Sequence, residues 1–321
     1  MKSTEGIASL WPALSYPDWR DTAQTLQLWT QIVGKIRLVL TPWVNHSWHV
    51  PLYVTARGLG TSPMQAGKEL LEIDFDFVDH RLICRTSRGG EIALPLGPRT
   101  VAEFYQTVLD ALGELGVAVV INPFPSEIPQ AIPFPEDQVH ATYDAQAAHD
   151  FWRVLIQADR LFKHFRSAFL GKVSPVHFFW GSFDLAVTRF SGRAAPPHPG
   201  GVPGLADAIV REAYSHEVSS AGFWPGNDTA PQAVFYSYSY PEPPHYRTSP
   251  VSSPAEFSPD LGEFILPYDA VRASNDPDAV VMRFLAETYD AAAEKGKWDR
   301  DALECNLGFP GRPREVPPRL A

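Results

Sequence analysis

The run Val176–Phe190, VHFFWGSFDLAVTRF, constrains the fold more than any other stretch of the chain. Apolar residues occupy both alternating positions through most of it, so as a strand it is buried on both faces. Such a strand needs packed structure on each side, which the rest of the chain must supply. A helix bundle is further excluded by the 31 prolines, about twice the usual share. Proline is barred from helix interiors and central strands, so these prolines mark long, rigid, irregular connections.

Around that run the periodicity reads as an α+β fold, mostly antiparallel sheets flanked by helices. In a first half, residues 1–125, an amphipathic helix is expected from about Asp18 to Gly34, with Asp18 able to cap its start. A strand at Ile36–Leu40 follows. Val50, Leu52, Val54 and Ala56 alternate with His49, Tyr53, Thr55 and Arg57, and residues 71–77 alternate in the same way, which predicts two more strands. Arg81–Thr86 and Glu91–Leu94 read as a hairpin. Thr100-Val-Ala-Glu103 is a capping box opening a helix, and Val117–Ile121 reads as a strand after it. Residues 126–140 form a proline-rich linker. The second half, residues 141–321, begins with a long helix from Asp144 to Leu170. The Val176–Phe190 strand, a short helix near 205–212, strands at Tyr214–Ser220 and Ala233–Tyr240, a helix capped by Asp276 and an irregular tail complete it. Each half thus runs helix, His-bearing strand ending in Arg, further strands, amphipathic helix. The rhyme predicts two duplicated halves packed as one globule.

The formal net charge of −10 argues against nucleic-acid or anionic-membrane partners, which require basic surfaces. No window approaches a membrane span, and Met1–Arg20 lacks the pattern of a signal peptide. Cys84 and Cys305 stand apart from each other and from any metal-finger spacing, which fits two reduced thiols in a cytoplasmic protein. Glycine-rich dinucleotide and phosphate loops, H-E-x-x-H and G-x-S-x-G are all missing, so no nucleotide cofactor is expected.

Three histidine-bearing segments with adjacent tryptophan remain: Asn45–His49, Ser174–Asp184 and Glu212–Gly226. Aromatic walls with a few polar groups are the usual material of a ligand pocket. His46, His49, His177 and His216 could converge on a divalent transition metal. Without a metal, His177 or His216 could act as a general base with Asp184 or Glu217 as orienting group or acid. On a single ideal strand His177 and Asp184 point to opposite faces, as do His216 and Glu217, and the plain alternative for each is a structural hydrogen bond. His49, Trp180 and Trp224 are candidate walls of the pocket. Arg57, Arg189 and Arg193 end strands or begin loops, and Lys172 follows a helix end; guanidinium forks suit a carboxylate or phosphate. Pairing with surface carboxylates is the commoner role. Arg189 is the strongest of the three, since it closes an apolar strand and needs a buried partner.

The segments HFFWGSFDLAVTRFSGR (177 to 193), EAYSHEVSSAGFWPG (212 to 226) and NHSWHVPLYVTARGL (45 to 59) resemble those of a bacterial family catalogued as domain of unknown function 5996. The resemblance covers nearly the whole chain. It implies a stand-alone soluble protein and no particular activity. The residues themselves lead to an expected enzyme acting on a small anionic organic molecule, by His/carboxylate acid–base or metal-assisted chemistry, in a cleft between the halves. A non-catalytic small-molecule binding or sensor protein is the alternative.

Overall fold

Helix α1 (Tyr16–Leu40) runs straight through Gly34 and takes in the residues expected as a strand. Gly34 is no helix stop: the indole of Trp180 lies so close that a Cβ there would sit 2.2 Å from its ring atoms. The glycine permits a close approach between the two halves of the chain. The computed structural model describes residues 10–314; the end of the expected irregular tail lies outside them.

The first half continues with β1 (Tyr53–Val54), β2 (Gly58–Gly60), β3 (Met64–Ala66), β4 (Glu69–Asp76), β5 (Arg81–Thr86) and β6 (Glu91–Pro95). They form one antiparallel sheet in the order β1-β2-β4-β5-β6, with β3 pairing β4. The expected strand over residues 50–57 shrinks to β1, because the chain turns at Thr55, which accepts from Gly58 N through its hydroxyl and donates to Gly58 O through its amide. Helix α2 (Val101–Glu114) opens on the expected capping box. Val117–Ile121 is not a strand. Gly116 takes φ 76°, its amide donates to Gly113 O, and Val117 donates to Leu112 O. That is a Schellman closure, and Val117 is apolar because it packs back on the helix end.

The second half holds α3 (Ala145–Arg166), β7 (His177–Phe179), β8 (Asp184–Ala194), α4 (Asp207–Ala213), β9 (His216–Trp224), β10 (Val234–Tyr240), β11 (Glu256–Ser258), β12 (Glu263–Pro267), α5 (Tyr268–Arg272), α6 (Pro277–Lys295) and α7 (Arg300–Leu303). Its sheet is antiparallel in the order β11-β12-β10-β9-β8-β7. Val176–Phe190 is therefore a hairpin rather than one strand. Phe183, at φ 62°, closes the turn by donating to Phe179 O.

Each half places six strands between two long helices. The sheets meet edge to edge: Leu52 and Phe178 exchange both backbone hydrogen bonds at 2.9 Å. Phe162 of α3 packs against Phe235, while Tyr289 of α6 stacks on Arg189. Leu185, Val187, Phe223, Phe235, Phe264 and Leu266 lie on that helix-covered face of the second sheet. Alternation sends Ala186, Thr188, Ser220, Gly222, Tyr236 and Tyr238 to the other face. Cys84 is buried and Cys305 half-buried, both as free thiols, and among the described residues no helix is long and apolar enough to cross a membrane.

Candidate functional site

Next to the junction of the sheets, at Asn45–Ser47, His46 and Ser47 adopt φ 59° and 56° in succession. Two left-handed non-glycine residues in a row cost about 1–3 kcal/mol each and persist only where the surroundings impose them. Here the amide of His46 donates to the Glu212 carboxylate at 3.0 Å, and its Nδ1 lies 2.7 Å from Ala213 O. A carbonyl can only accept, so Nδ1 carries the proton and the Nε2 lone pair faces Lys172 Nζ at 2.6 Å. The Lys172 ammonium also lies 5.1 Å from the Trp48 ring and 4.9 Å from Phe190. Desolvation holds both the lysine and the histidine below their ordinary pKa ranges, with Glu212 pulling the other way.

From this exposed lysine a line of rings leads inward. His216 lies 5.6 Å from His46, His46 5.5 Å from Trp48, and Trp48 6.0 Å from His177. Tyr53 follows at 5.6 Å from His177, and the Arg37 guanidinium stands 5.6 Å above Tyr53. His177 is 1% exposed and its Nε2 has no partner. Burial, then the positive charges of Arg37 and Arg166, push the imidazole down to about 3, so it is neutral at physiological pH. His49, equally buried, turns its ring toward Trp43 at 4.5 Å and also leaves Nε2 unpartnered. Burial first, and Arg37 as well, lowers its pKa. Arg37 donates to Thr61 O and Ser62 Oγ, yet its Nε is bare. Arg166 at the end of α3 makes no side-chain hydrogen bond or ion pair with any described residue.

A second polar region, largely buried, occupies the face of the C-terminal sheet opposite α3 and α6. Asp184, at the foot of β8, accepts from Ser182 Oγ and Tyr236 OH. Tyr214 and Tyr238 share a hydrogen bond of 2.7 Å, as do Thr188 and Ser220 at 2.9 Å. Burial raises the pKa of Asp184. Burial and then the Asp184 charge raise Glu127 to about 7 and Glu263 to about 8. Neither glutamate has a hydrogen-bond or ion-pair partner among the described residues.

The residues singled out in the sequence divide between these regions and plain structural roles. The hairpin brings His177 opposite Ala186 and Asp184 opposite Phe179, so the two share a sheet face after all. Asp184 is nonetheless held by Tyr236, with no bond to His177. Glu217 takes the side of β9 opposite His216 and binds Ser191 and Arg193, at 2.8 and 2.6 Å. Arg193 also donates to the carbonyls of Gly296 and Lys297, just past the end of α6. Arg57, half-exposed, pairs with buried Asp76 and exposed Asp79 at 2.7 and 2.8 Å. Arg189 lies on the helix-covered face, 3.6 Å from the Phe165 ring and 4.3 Å from Tyr289, donating to Phe165 O. All three arginines thus have partners within the protein, although the buried Nε of Arg189 makes no hydrogen bond. Trp180 donates to Val50 O at 2.9 Å, and Trp224 ends β9, away from the ring series. The four histidines do not assemble as a metal centre: among the described residues, no group of three or more His, Cys, Asp or Glu could hold an ion. A groove of about 530 Å³ opens elsewhere, between the start of α1 and Asp228, and contains none of the histidines.

Sequence reasoning passed over Arg37, Arg166, Glu127 and Glu263. Arg37 had a signal, a charge inside the apolar helical stretch GKIRLVL. Arg166, Glu127 and Glu263 carry no comparable signal in the chain, and only folding removes their solvent or their partners.

Fold and site together define an α+β protein of two edge-joined antiparallel sheets, with a histidine- and arginine-rich seam at the junction. The chain belongs to a family of unknown function, DUF5996, whose model matches residues 11–305. No curated protein and no solved structure matches it significantly.

Proposed function

We propose that this protein is an enzyme performing acid–base chemistry on a small organic molecule at the seam, with the Lys172–His46 couple as its proton-transfer pair. The 2.6 Å contact of Lys172 Nζ with His46 Nε2 carries the reading. It joins an exposed ammonium of lowered pKa to an imidazole whose other nitrogen is fixed by a backbone carbonyl, an arrangement suited to passing one proton between them. Trp48 would form the wall between this pair and the neutral imidazole of His177, whose free Nε2 would bind the substrate's polar group. Glu212 is the carboxylate member, since it orients the His46 turn.

A non-catalytic binding protein is the second reading, favoured by the low basicity of His177. The two are separated by screening small metabolites for thermal stabilisation and following each hit by NMR for turnover. An enzyme converts a hit, and Lys172→Met and His46→Gln abolish conversion while leaving binding within about threefold. A hit that binds through His177 and is never converted replaces the enzyme with the binding protein.

A further inference from the structure

We infer that the polar face of the C-terminal sheet binds a small amino compound, with its ammonium group against Asp184, Tyr236 and Tyr238 and flanked by Glu127 and Glu263. The site adjoins the seam across Ala186 and names the charged end of the substrate proposed there; it rests on that reading only where it shares His177.

Buried charges in proteins are paired, because an isolated one is costly to desolvate. Among the described residues the deeply buried aspartates are Asp76, Asp137 and Asp184. Asp76 has Arg57 and Asp137 has His140, each at 2.7 Å, whereas Asp184 has only the hydroxyls of Ser182 and Tyr236. Two more unpaired carboxyls stand beside it. Glu127 reaches the β7–β8 turn, where a Cβ on Gly181 would lie 2.0 Å from its Oε1, and the next residue is Ser182. Ser237 pairs with Phe264, so Glu263 comes up beside Tyr238 on the polar face. Lys35 approaches Ser126, the residue before Glu127, but donates to the Ser126 hydroxyl at 3.0 Å. Held protons neutralise Glu127 and Glu263, and an ammonium ion would take over that role.

The rings of Tyr236 and Tyr238 lie 6.2 Å apart and 14° from parallel, and Tyr214 stands 6.3 Å from Tyr238. Such a wall attracts an organic cation through its ring faces. A bare metal ion is a poor fit: among the described residues no group of three or more His, Cys, Asp or Glu could hold one. The far side of the same face supplies an independent sign of an occupant. His177 lies opposite Ala186, Ala186 opposite Gly222, and Gly222 opposite Tyr236, whose phenol covers the glycine. Only the Ala186 methyl therefore separates imidazole from phenol along this row. His177 is 1% exposed, and its Nε2 has no partner. Native structures leave few buried polar atoms unsatisfied. An ammonium group alone would answer the carboxyls and leave His177 bare. An amino compound with a second, hydrogen-bonding group answers both.

The test titrates ethanolamine into the full chain near neutral pH and at constant ionic strength, reading thermal unfolding and calorimetry. Ethylamine and ethylene glycol serve as its charged and neutral counterparts. Ethanolamine at a hundredfold excess over its Kd should raise Tm by on the order of 5 °C. Ethylamine should bind more weakly and ethylene glycol not at all. Asp184→Asn should lose the rise. Because Asp184 also anchors Tyr236, the double variant Glu127→Gln/Glu263→Gln, which breaks no hydrogen bond, should independently weaken ethanolamine about tenfold or more. Glu136→Gln, at an exposed position, should change nothing. His177→Gln should remove the advantage of ethanolamine over ethylamine. No response to either amine, a response to ethylene glycol equal to that of ethanolamine, or undiminished binding in the double variant would overturn the inference. If a neutral or anionic compound is instead bound and converted by wild type and double variant alike, the ammonium site falls and the seam reading survives. If the amines bind through the acids but His177→Gln leaves their difference unchanged, the ammonium site stands and its link with the seam falls.

Discussion

The seam and the polar face of the C-terminal sheet carry opposite electrostatic problems a short distance apart. At the seam, cations crowd neutral imidazoles with no carboxylate against His177. On the sheet face three carboxylates, Asp184, Glu127 and Glu263, crowd three tyrosines. Burial is the first cause in both, and it acts on whichever form is charged: it drives His177 to about 3 and Glu263 to about 8. The acid side solves its problem internally, by holding protons and hydrogen-bonding Asp184 to Tyr236. The basic side cannot, because arginine does not release its proton.

The largest expected effect tests how tightly the acid face is packed. A Cβ at Gly222 would lie 2.4 Å from the Tyr236 phenol atoms, and that ring is what satisfies Asp184. Gly222→Val should therefore cost about 3 kcal/mol or more in denaturant unfolding. A loss under about 1 kcal/mol would mean that the face is loose.

Next come the opposed pH slopes. Glu127 and Glu263 hold protons in the folded state up to about 7 and 8, against an unfolded value near 4.5. Their contribution is fully present below pH 4.5 and is lost as pH rises through 7 to 8. The double variant Glu127→Gln/Glu263→Gln should gain about 1–3 kcal/mol relative to wild type at pH 8.5 and little at pH 4.5. His177 has the reverse sign. Its folded value near 3 lies below the unfolded 6.5, so its contribution is present above pH 6.5 and is lost as pH falls toward 3. His177→Gln should remove about 1–3 kcal/mol of the stability change between pH 6.5 and 4. Parallel rather than opposed slopes in these two variants would break the comparison. The smallest effect is on Arg166→Gln without ligand, expected within about 1 kcal/mol of wild type and not below it. The same truncation at Arg189, Arg189→Gln, should cost about 2 kcal/mol or more, because that guanidinium is clasped by Phe165 and Tyr289.

Local signals in the chain determined the α+β class, the hairpin of β5 and β6, the capping box at Thr100 and the amphipathic helices, because each depends on residues within a turn or two of one another. They also singled out His46, His177 and His216, since polar groups inside aromatic, strand-forming segments need partners wherever the chain goes. Tertiary structure decided what periodicity cannot express. Gly34 reads as a helix end until Trp180 is packed on it, and the apolar Val176–Phe190 run is one strand until Phe183 turns it. Asp184 and His177 lie on opposite faces along the chain and on one face across the hairpin. Whether an arginine is satisfied is likewise a question about distant segments: Arg57 and Arg193 find carboxylates brought by β4 and β9, Arg189 finds rings on α3 and α6, Arg37 finds only uncharged partners, and Arg166 finds none among the described residues. Desolvation and charge pairing are properties of three-dimensional neighbourhoods, and no sequence window contains the neighbours.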